Sequence, residues 1–328
     1  MKAVQVLGPS TSPKLTLNPS HPHPSPPAEH PDAVLIRVHS ASVTAPEVTW
    51  PELYETQARI PGHDISGTVA ALPAGYAGRL AVGQAVYGML RADAPQGGQA
   101  DYVHATRPEA ELARKPAALT HAQASALPIP ALTAWEMLGA QRAGPLPRGA
   151  RLLITGASGA VGLMLVQLAK RVVPDARVVA LASGEKLAAL RALGADELVD
   201  YTVPDWEEGL RRGVDAVLDT AGGEVLRKSW TAVKDDGVVV TVADPPPEWA
   251  LNKGVVPAEF EGRPKLRYVY FVVTPDREVL EKVADLIDEG AVKPLPVVEF
   301  PVDRALEAWE LAGQRNRRGK AVINFVAT

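Results

Sequence analysis

Short apolar runs of β-forming residues, each closed by proline or glycine, occupy the first third of the chain: Ala3 to Val6, Ala33 to Ala41, Ser66 to Ala71, Ala85 to Gly88 and Ala100 to His104. Runs of this length and spacing predict an antiparallel, barrel-like module rather than a helical one. Between the first two, Pro19 to Pro31 holds six prolines and three histidines. Proline's fixed φ and missing N–H make that stretch a loop. From about Ala122 the pattern changes. Strands without polar alternation now precede amphipathic stretches: Arg151 to Thr155 then Val161 to Arg171, Arg177 to Leu181 then Glu185 to Leu193, Val214 to Asp219 then Glu224 to Val233, and finally Val238 to Val242. Continuous apolar strands, each followed by a helix with one apolar face, predict a parallel sheet covered on both sides. Arg267 to Val273 reads as a further strand and Arg277 to Glu289 as a helix stopped by Gly290. The tail gives strand, helix and strand over Val297 to Phe300, Val302 to Ala312 and Lys320 to Val326.

At 328 residues the chain has room for about two domains with buried cores. Apolar residues are 46% and charged residues 22%, the composition of a folded globular protein rather than a disordered one. With a net charge of −4 and no basic block beyond Arg315 to Lys320, the chain offers a nucleic-acid backbone little to bind. Cysteine is absent. That removes disulfides, iron–sulfur clusters, thiolate zinc sites and cysteine nucleophiles, and leaves any metal to His, Asp and Glu. The start, MKAVQVLGPSTSP, lacks the apolar core of a secretory signal. The uncharged stretch Pro116 to Trp135 is broken by prolines, a His and a Gln that suit no membrane helix. The expectation is a soluble, cytoplasmic protein with neither membrane nor nucleic acid as partner.

The most informative stretch is RLLITGASGAVGLMLVQLAK, residues 151 to 170. A predicted strand ends at Thr155, and Ala157, Gly159 and Gly162 fall on the three positions of a dinucleotide-binding turn, with Ala in place of the first Gly. Gly159 lets the backbone approach a pyrophosphate and Gly162 lets the helix lie close to the sheet. Ala157, Ser158, Gly159, Ala160 and Val161 are the candidate contacts of the cofactor at this turn, and the free N–H groups at the helix start would meet the anion. After the second strand, where an acid would hold a ribose 2′-hydroxyl, the chain reads Ala182-Ser183-Gly184-Glu185-Lys186. Ser183 and Lys186 there suit a 2′-phosphate, so the expected cofactor is NADPH.

With Pro61-Gly62-His63-Asp64-Ile65-Ser66-Gly67-Thr68-Val69, Ala126 to Trp135, the glycine turn, Leu193-Gly194-Ala195-Asp196 and Arg318-Gly319-Lys320-Ala321-Val322 in this order, the chain resembles the medium-chain dehydrogenase/reductases along its whole length. Within them it is similar to the zinc-independent quinone oxidoreductase and enoyl reductase branch. The resemblance implies a GroES-like substrate domain over 1–121, a doubly wound Rossmann domain over 122–274, and a return to the substrate domain over 275–328, with the active site in the cleft. It places Thr133 beside the nicotinamide and the loops after Asp219 and Val242 near its ribose. Phe271 and Val272 would face the carboxamide, and Lys186 and Tyr201 the adenosine 2′-phosphate. It also implies a homodimer paired through Arg267 to Val273. At the three zinc-ligand positions of the metal-dependent relatives stand Thr44, His63 and Ile129. Thr is a poor zinc ligand and Ile has no donor atom, so no metal is expected and His63 is read as structural. His21, His23 and His30 are read as loop residues.

Without a Lewis acid to polarise an alcohol, the easier hydride reaction is reduction of an activated carbon–carbon double bond or a quinone, in which the protein supplies position, electrostatics and one proton. The resemblance implies a Tyr before the Pro-Gly motif as proton donor, which points to Tyr54, with Thr44 and Trp50 also lining the pocket of a small apolar electrophile. Thr44-Ala45-Pro46-Glu47 departs from the family's Asn-Pro-x-Asp pattern. Two other readings stand beside this one: an enoyl-thioester reductase of a biosynthetic pathway, and an NADPH-binding protein with a structural or regulatory role. The short-chain dehydrogenases share a similar turn but use Tyr with Lys four residues later, and none of the seven tyrosines has that neighbour.

Overall fold

The computed structural model describes residues 1–25, 32–49, 59–92, 96–245, 262–263, 265–314 and 316–326. The chain divides into two units, Met1–Leu132 with Thr274–Thr328, and Thr133–Val273.

In the second unit six parallel strands form one sheet. Across it lie Glu197–Asp200, Arg177–Ala182, Arg151–Ile154, Val214–Asp219, Val233–Thr241 and Arg267–Tyr270, an order of 3-2-1-4-5-6 by chain position. The direction of winding reverses between Arg151–Ile154 and Val214–Asp219, and ligands of open α/β sheets bind at such a reversal, outside the carboxyl ends of the strands. The central strands are apolar because both faces are covered: Leu153, Val179, Leu181, Val217 and Val239 share one buried cluster with Trp230. Trp230 stacks on Tyr268, rings 5.1 Å apart and 9° from parallel. The helix Ala160–Val172 buries Met164, Leu165, Leu168 and Ala169, an i, i+1, i+4, i+5 face that lies on the sheet. The strand expected from Val238 begins at Val233, and its register shifts between Val214 and Ala216 to take in the polar residues. The last strand closes at Tyr270 instead of Val273.

The first unit holds a seven-stranded sheet in the order Val297–Pro301, Lys320–Asn324, Val34–Ser42, Asp64–Ala71, Ala85–Met89 and Leu112–Arg114, with Tyr102–Ala105 also paired to Val34–Ser42. Its pairs are antiparallel except Val297–Pro301 with Lys320–Asn324. Inward residues Val34, Ile36, Val38, Ile65, Val69 and Val86 make its core, with the period of two expected of a half-buried sheet. A separate ribbon, Ala3–Leu7 with Lys14–Asn18, is tied in by bridges from Ala3 to Ala100 and from Val6 to Arg59. The helix Arg277–Asp288 is pinned by the buried Tyr87 hydroxyl, which donates to the Leu280 carbonyl at 2.6 Å. The helix His121–Ser125, started by a Thr120–Gln123 capping box, belongs here because Ala122 and Ala126 pack with Val322. The division between units therefore falls at Leu132/Thr133, inside the helix Pro128–Leu138, where the sequence places it at 121/122. No helix among the described residues is long and apolar enough to cross a membrane.

Candidate functional site

The glycine turn sits at the winding reversal. Gly156 has a left-handed φ of 58°, open to glycine at no steric cost. A Cβ on Gly162 would lie 2.3 Å from the Gly156 carbonyl oxygen, so only glycine lets the helix start this close to the turn. Two N–H groups of the motif are used inside the protein: Ala157 donates to Leu181 at 3.2 Å and Gly159 to Gly156 at 2.8 Å. Those residues shape the turn. The helix begins at Ala160 with no side-chain cap on its N-terminus, so the N–H groups of Ala160, Val161 and Gly162 have no partner within the helix and present its positive end to an anion. Ser158 is half-buried beside them. This cradle fits a pyrophosphate.

On one side of the turn lie Ser183, Lys186 and Tyr201. Ser183 holds the N-cap position of the helix Gly184–Ala192, yet its side chain makes no cap hydrogen bond. The Asp200 carboxylate, on the neighbouring strand end, takes that place: it accepts from the Gly184 N–H as well as from the hydroxyl and N–H of Thr202, bonds that hold it below the usual carboxylate range. The Ser183 hydroxyl does not serve as that cap. Lys186 is half-buried and Tyr201 exposed.

On the other side stands a feature that the sequence motifs do not mark. Asp219, fully buried at the end of its strand, accepts from the Thr155 hydroxyl, from Thr241 Oγ1 at 2.7 Å, and from the N–H groups of Ala221 and Gly222 at 3.3 and 3.2 Å. One carboxylate thus ties together the carboxyl ends of three adjacent strands. Thr220 reinforces the knot by donating to the Thr155 carbonyl at 2.9 Å. The N–H of Val242 donates to the Asp219 carbonyl at 3.2 Å, and the Asp244 carboxylate caps the next helix through Gly223. Thr133 is buried. Phe271 is also buried, with the Arg142 guanidinium 4.5 Å above its ring, while Val272 is 62% exposed.

The first unit carries a separate polar cluster around the loop before the strand Asp64–Ala71. Oε1 of the buried Glu47 lies 2.8 Å from His63 Nδ1 and also accepts from the N–H of Gly62, whose φ is 101°. Burial alone would pull His63 down, but the Glu47 carboxylate, a hydrogen bond that the ring donates to the Ala92 backbone and the charge of Asp64 outweigh it and hold His63 above its ordinary value. Asp64 accepts from Lys320 Nζ at 2.6 Å and from the Ile129 N–H at 2.8 Å. Burial pushes its carboxyl up, and Lys320 pulls it back only in part. Thr44 is half-buried one turn from Glu47, its carbonyl accepting from the Glu47 N–H at 2.9 Å. Trp50 and Tyr54 lie outside the described residues, as does His30. His21 and His23 sit apart, His23 against the Tyr102 ring at 5.5 Å.

A doubly wound sheet with a glycine turn at its reversal defines a dinucleotide-binding Rossmann unit. Residues 193–323 match the family model for zinc-binding dehydrogenases and residues 30–117 that for the alcohol dehydrogenase GroES-like domain. The chain is 32% identical to a probable zinc-binding mitochondrial oxidoreductase of Arthroderma benhamiae, over 89% of this chain and 88% of that one. It is 34% identical to the 2-methylene-furan-3-one reductase of Solanum lycopersicum over 81% of this chain, spanning 63% of that longer protein. The quinone oxidoreductase structure from Coxiella burnetii superposes with a TM-score of 0.78 at 27% identity, covering 99% of each chain. The chain belongs to the medium-chain dehydrogenase/reductase superfamily, in its quinone oxidoreductase-like branch. Among the described residues, Thr44, His63 and Ile129 do not make up a ligand set for the zinc of that superfamily's metal enzymes. Ile129 offers only an N–H, already given to Asp64, and Asp64 is held by Lys320. Among the described residues no three His, Cys, Asp or Glu gather as metal ligands.

Proposed function

We propose that the chain is an NADPH-dependent, zinc-independent reductase that passes hydride to an activated carbon–carbon double bond of an enone or to a quinone. It is an oxidoreductase of the quinone and enone reductase type. The observation that carries this reading is the capless helix start at Ala160, set by Gly156 and Gly162 at the winding reversal. When bound there, a reduced nicotinamide supplies the hydride. The N–H groups of Ala160, Val161 and Gly162 hold the pyrophosphate. Ser183, with its cap place taken by Asp200, would join Lys186 and Tyr201 in holding the 2′-phosphate, and Thr133, Val242, Phe271 and Val272 would hold the nicotinamide. The donor chemistry of Thr44, His63 and Ile129 supports the zinc-free reading. The relatives named for an enone and for quinones support the substrate class. Tyr54 is the proposed proton donor, and Thr44 and Trp50 the proposed pocket lining. The edge strand Arg267–Tyr270 supports a homodimer paired through it, and the cytoplasm is the proposed location.

Cofactor oxidation with simple enones, quinones and an enoyl thioester, followed for wild type and Lys186→Ala, tests this. Wild type should oxidise NADPH with the enones and quinones, and the variant should raise KM for NADPH by about tenfold, the worth of one charge-assisted contact, with NADH unaffected. Equal losses for both cofactors would remove the case for NADPH. Turnover confined to the thioester would move the substrate to a carrier-bound chain, and tight binding without oxidation of any acceptor would make the protein a sensor or scaffold.

A further inference from the structure

The Asp219 knot has a property that a purely structural tie does not need. Thr155 Oγ1 already accepts the Thr220 N–H at 3.2 Å, and Thr241 Oγ1 the Ala243 N–H at 3.1 Å. With an N–H directed at each oxygen, each hydroxyl turns its own proton to Asp219. The carboxyl group therefore meets two O–H and two N–H donors, an arrangement that solvates a carboxylate and not a carboxylic acid. No described Lys, Arg or His forms an ion pair with it. Among the described residues this buried carboxylate has no positive partner. Burying a charge is costly unless something compensates it, and here the compensation comes from fixed dipoles alone.

Its position gives that charge a use. The turn at Gly156 to Gly162 takes the pyrophosphate, and Ser183, Lys186 and Tyr201 lie on the side of the strands Arg177–Ala182 and Glu197–Asp200. A dinucleotide spans the reversal with one half on each side, so its nicotinamide half lies on the side of Val214–Asp219 and Val233–Thr241, the two strands that Asp219 joins. In the reaction the C4–H bond of the reduced ring breaks, both electrons leave with the hydrogen to the acceptor carbon or quinone, and a proton completes the reduced product. The ring, neutral before, is left as a cation.

We infer that Asp219 is an electrostatic positioning residue whose unpaired charge favours the oxidised, cationic form of the bound nicotinamide and so makes the bound cofactor a stronger hydride donor. This rests on the reading that the chain binds a nicotinamide dinucleotide. A fixed anion in a low-dielectric wall stabilises a charge that forms only on reaction, without reorganisation at that moment. Tyr268 feels the same field: burial, then the carboxylates of Asp219 and Asp244, push its phenol well above the usual range.

The test is direct titration of NADP⁺ and NADPH, and of NAD⁺ and NADH, onto wild type and Asp219→Asn, with no acceptor present and ADP-ribose as a control for the adenosine half. The expected result is that Asp219→Asn weakens the oxidised form by about tenfold and the reduced form by less than about threefold. The ratio of the two dissociation constants, and with it the potential of the bound cofactor, then moves about three- to tenfold. ADP-ribose affinity should stay at the wild-type value. A structural role alone would weaken both forms alike, so an unchanged ratio in a variant that still binds ADP-ribose overturns the inference while leaving the reductase reading in place. Binding of neither dinucleotide by wild type overturns both. Should Asp219→Asn fail to fold, Asp219→Ser carries the same expectation. If that also fails, Asp219 is an anchor of the fold and the assignment is withdrawn.

Discussion

Around His63 two buried acids each face a base, Glu47 at 2.8 Å from His63 and Asp64 at 2.6 Å from Lys320, whereas at the carboxyl edge of the parallel sheet Asp219 faces, among the described residues, only hydroxyls and N–H groups. Both regions bury carboxylates almost completely. They differ in what that burial leaves over. A paired acid spends its field on its neighbour, and the cluster around His63 accordingly holds a loop and two strands in register: Lys320 comes from a strand that pairs with Val34–Ser42, itself paired with the strand of Asp64. An unpaired acid held by dipoles keeps its charge available to whatever enters the crevice beside it. The same side-chain chemistry thus serves cohesion in one unit and ligand electrostatics in the other.

The contrast is most exposed to a cut through the paired cluster. Lys320→Met should destabilise the protein by about 3–5 kcal/mol, because it strands a buried carboxylate, and chemical denaturation would read it. Adding Asp64→Asn should recover much of that loss. If Lys320→Met costs under about 1 kcal/mol, Asp64 is not held by its partner and the distinction between the regions collapses. In the dipole-held cluster no one donor should matter as much. Thr241→Val removes one of the four donors to Asp219 and should cost about 1.5–3 kcal/mol, the range for a bond to a charged group. A loss from Thr241→Val as large as that from Lys320→Met would mean that Asp219 depends on one partner after all.

How much of this was readable beforehand follows from what each feature does to the sequence pattern. Strands covered on both faces are apolar through their middle, and the run Ala216-Val217-Leu218 makes Val214–Asp219 visible in the sequence to the residue. The edge strand Glu197–Asp200 is half-buried at each of its four positions, and Lys14–Asn18 lies half-exposed in a ribbon; neither leaves an apolar signature, and both escape notice. The glycine turn is legible because glycine is demanded by φ at Gly156 and by contact at Gly162. The motif does not say which N–H groups the turn itself uses, so Ala157 and Gly159 stand among the candidate cofactor contacts although their N–H groups bond inward. Asp219 and Asp200 look like acids closing apolar runs, as solvated turn residues do. Only the parallel register that sets Thr155, Asp219 and Thr241 side by side, and Asp200 beside Ala182, reveals that they organise the crevice.

The smallest expected effect is a pH dependence confined to the paired cluster. His63 is held above its ordinary value of 6.5 against the pull of burial, chiefly by the Glu47 carboxylate. A histidine whose folded pKa is raised binds its proton more tightly folded than unfolded. Its contribution to stability is then complete below pH 6.5 and drains away as the pH rises through the folded pKa, at up to about 1.4 kcal/mol per unit for one proton. Glu47→Gln removes the charge that raises His63 and leaves burial to lower it, so the sign turns over: the imidazole of the variant favours folding above 6.5 and opposes it as the pH falls. Urea unfolding of both proteins from pH 6 to 9 should therefore give curves of stability against pH that converge as the pH rises, wild type losing its advantage. Parallel curves would show that His63 and Glu47 share no proton-linked interaction, and that the pairing which sets this region apart from the Asp219 knot is one of packing only.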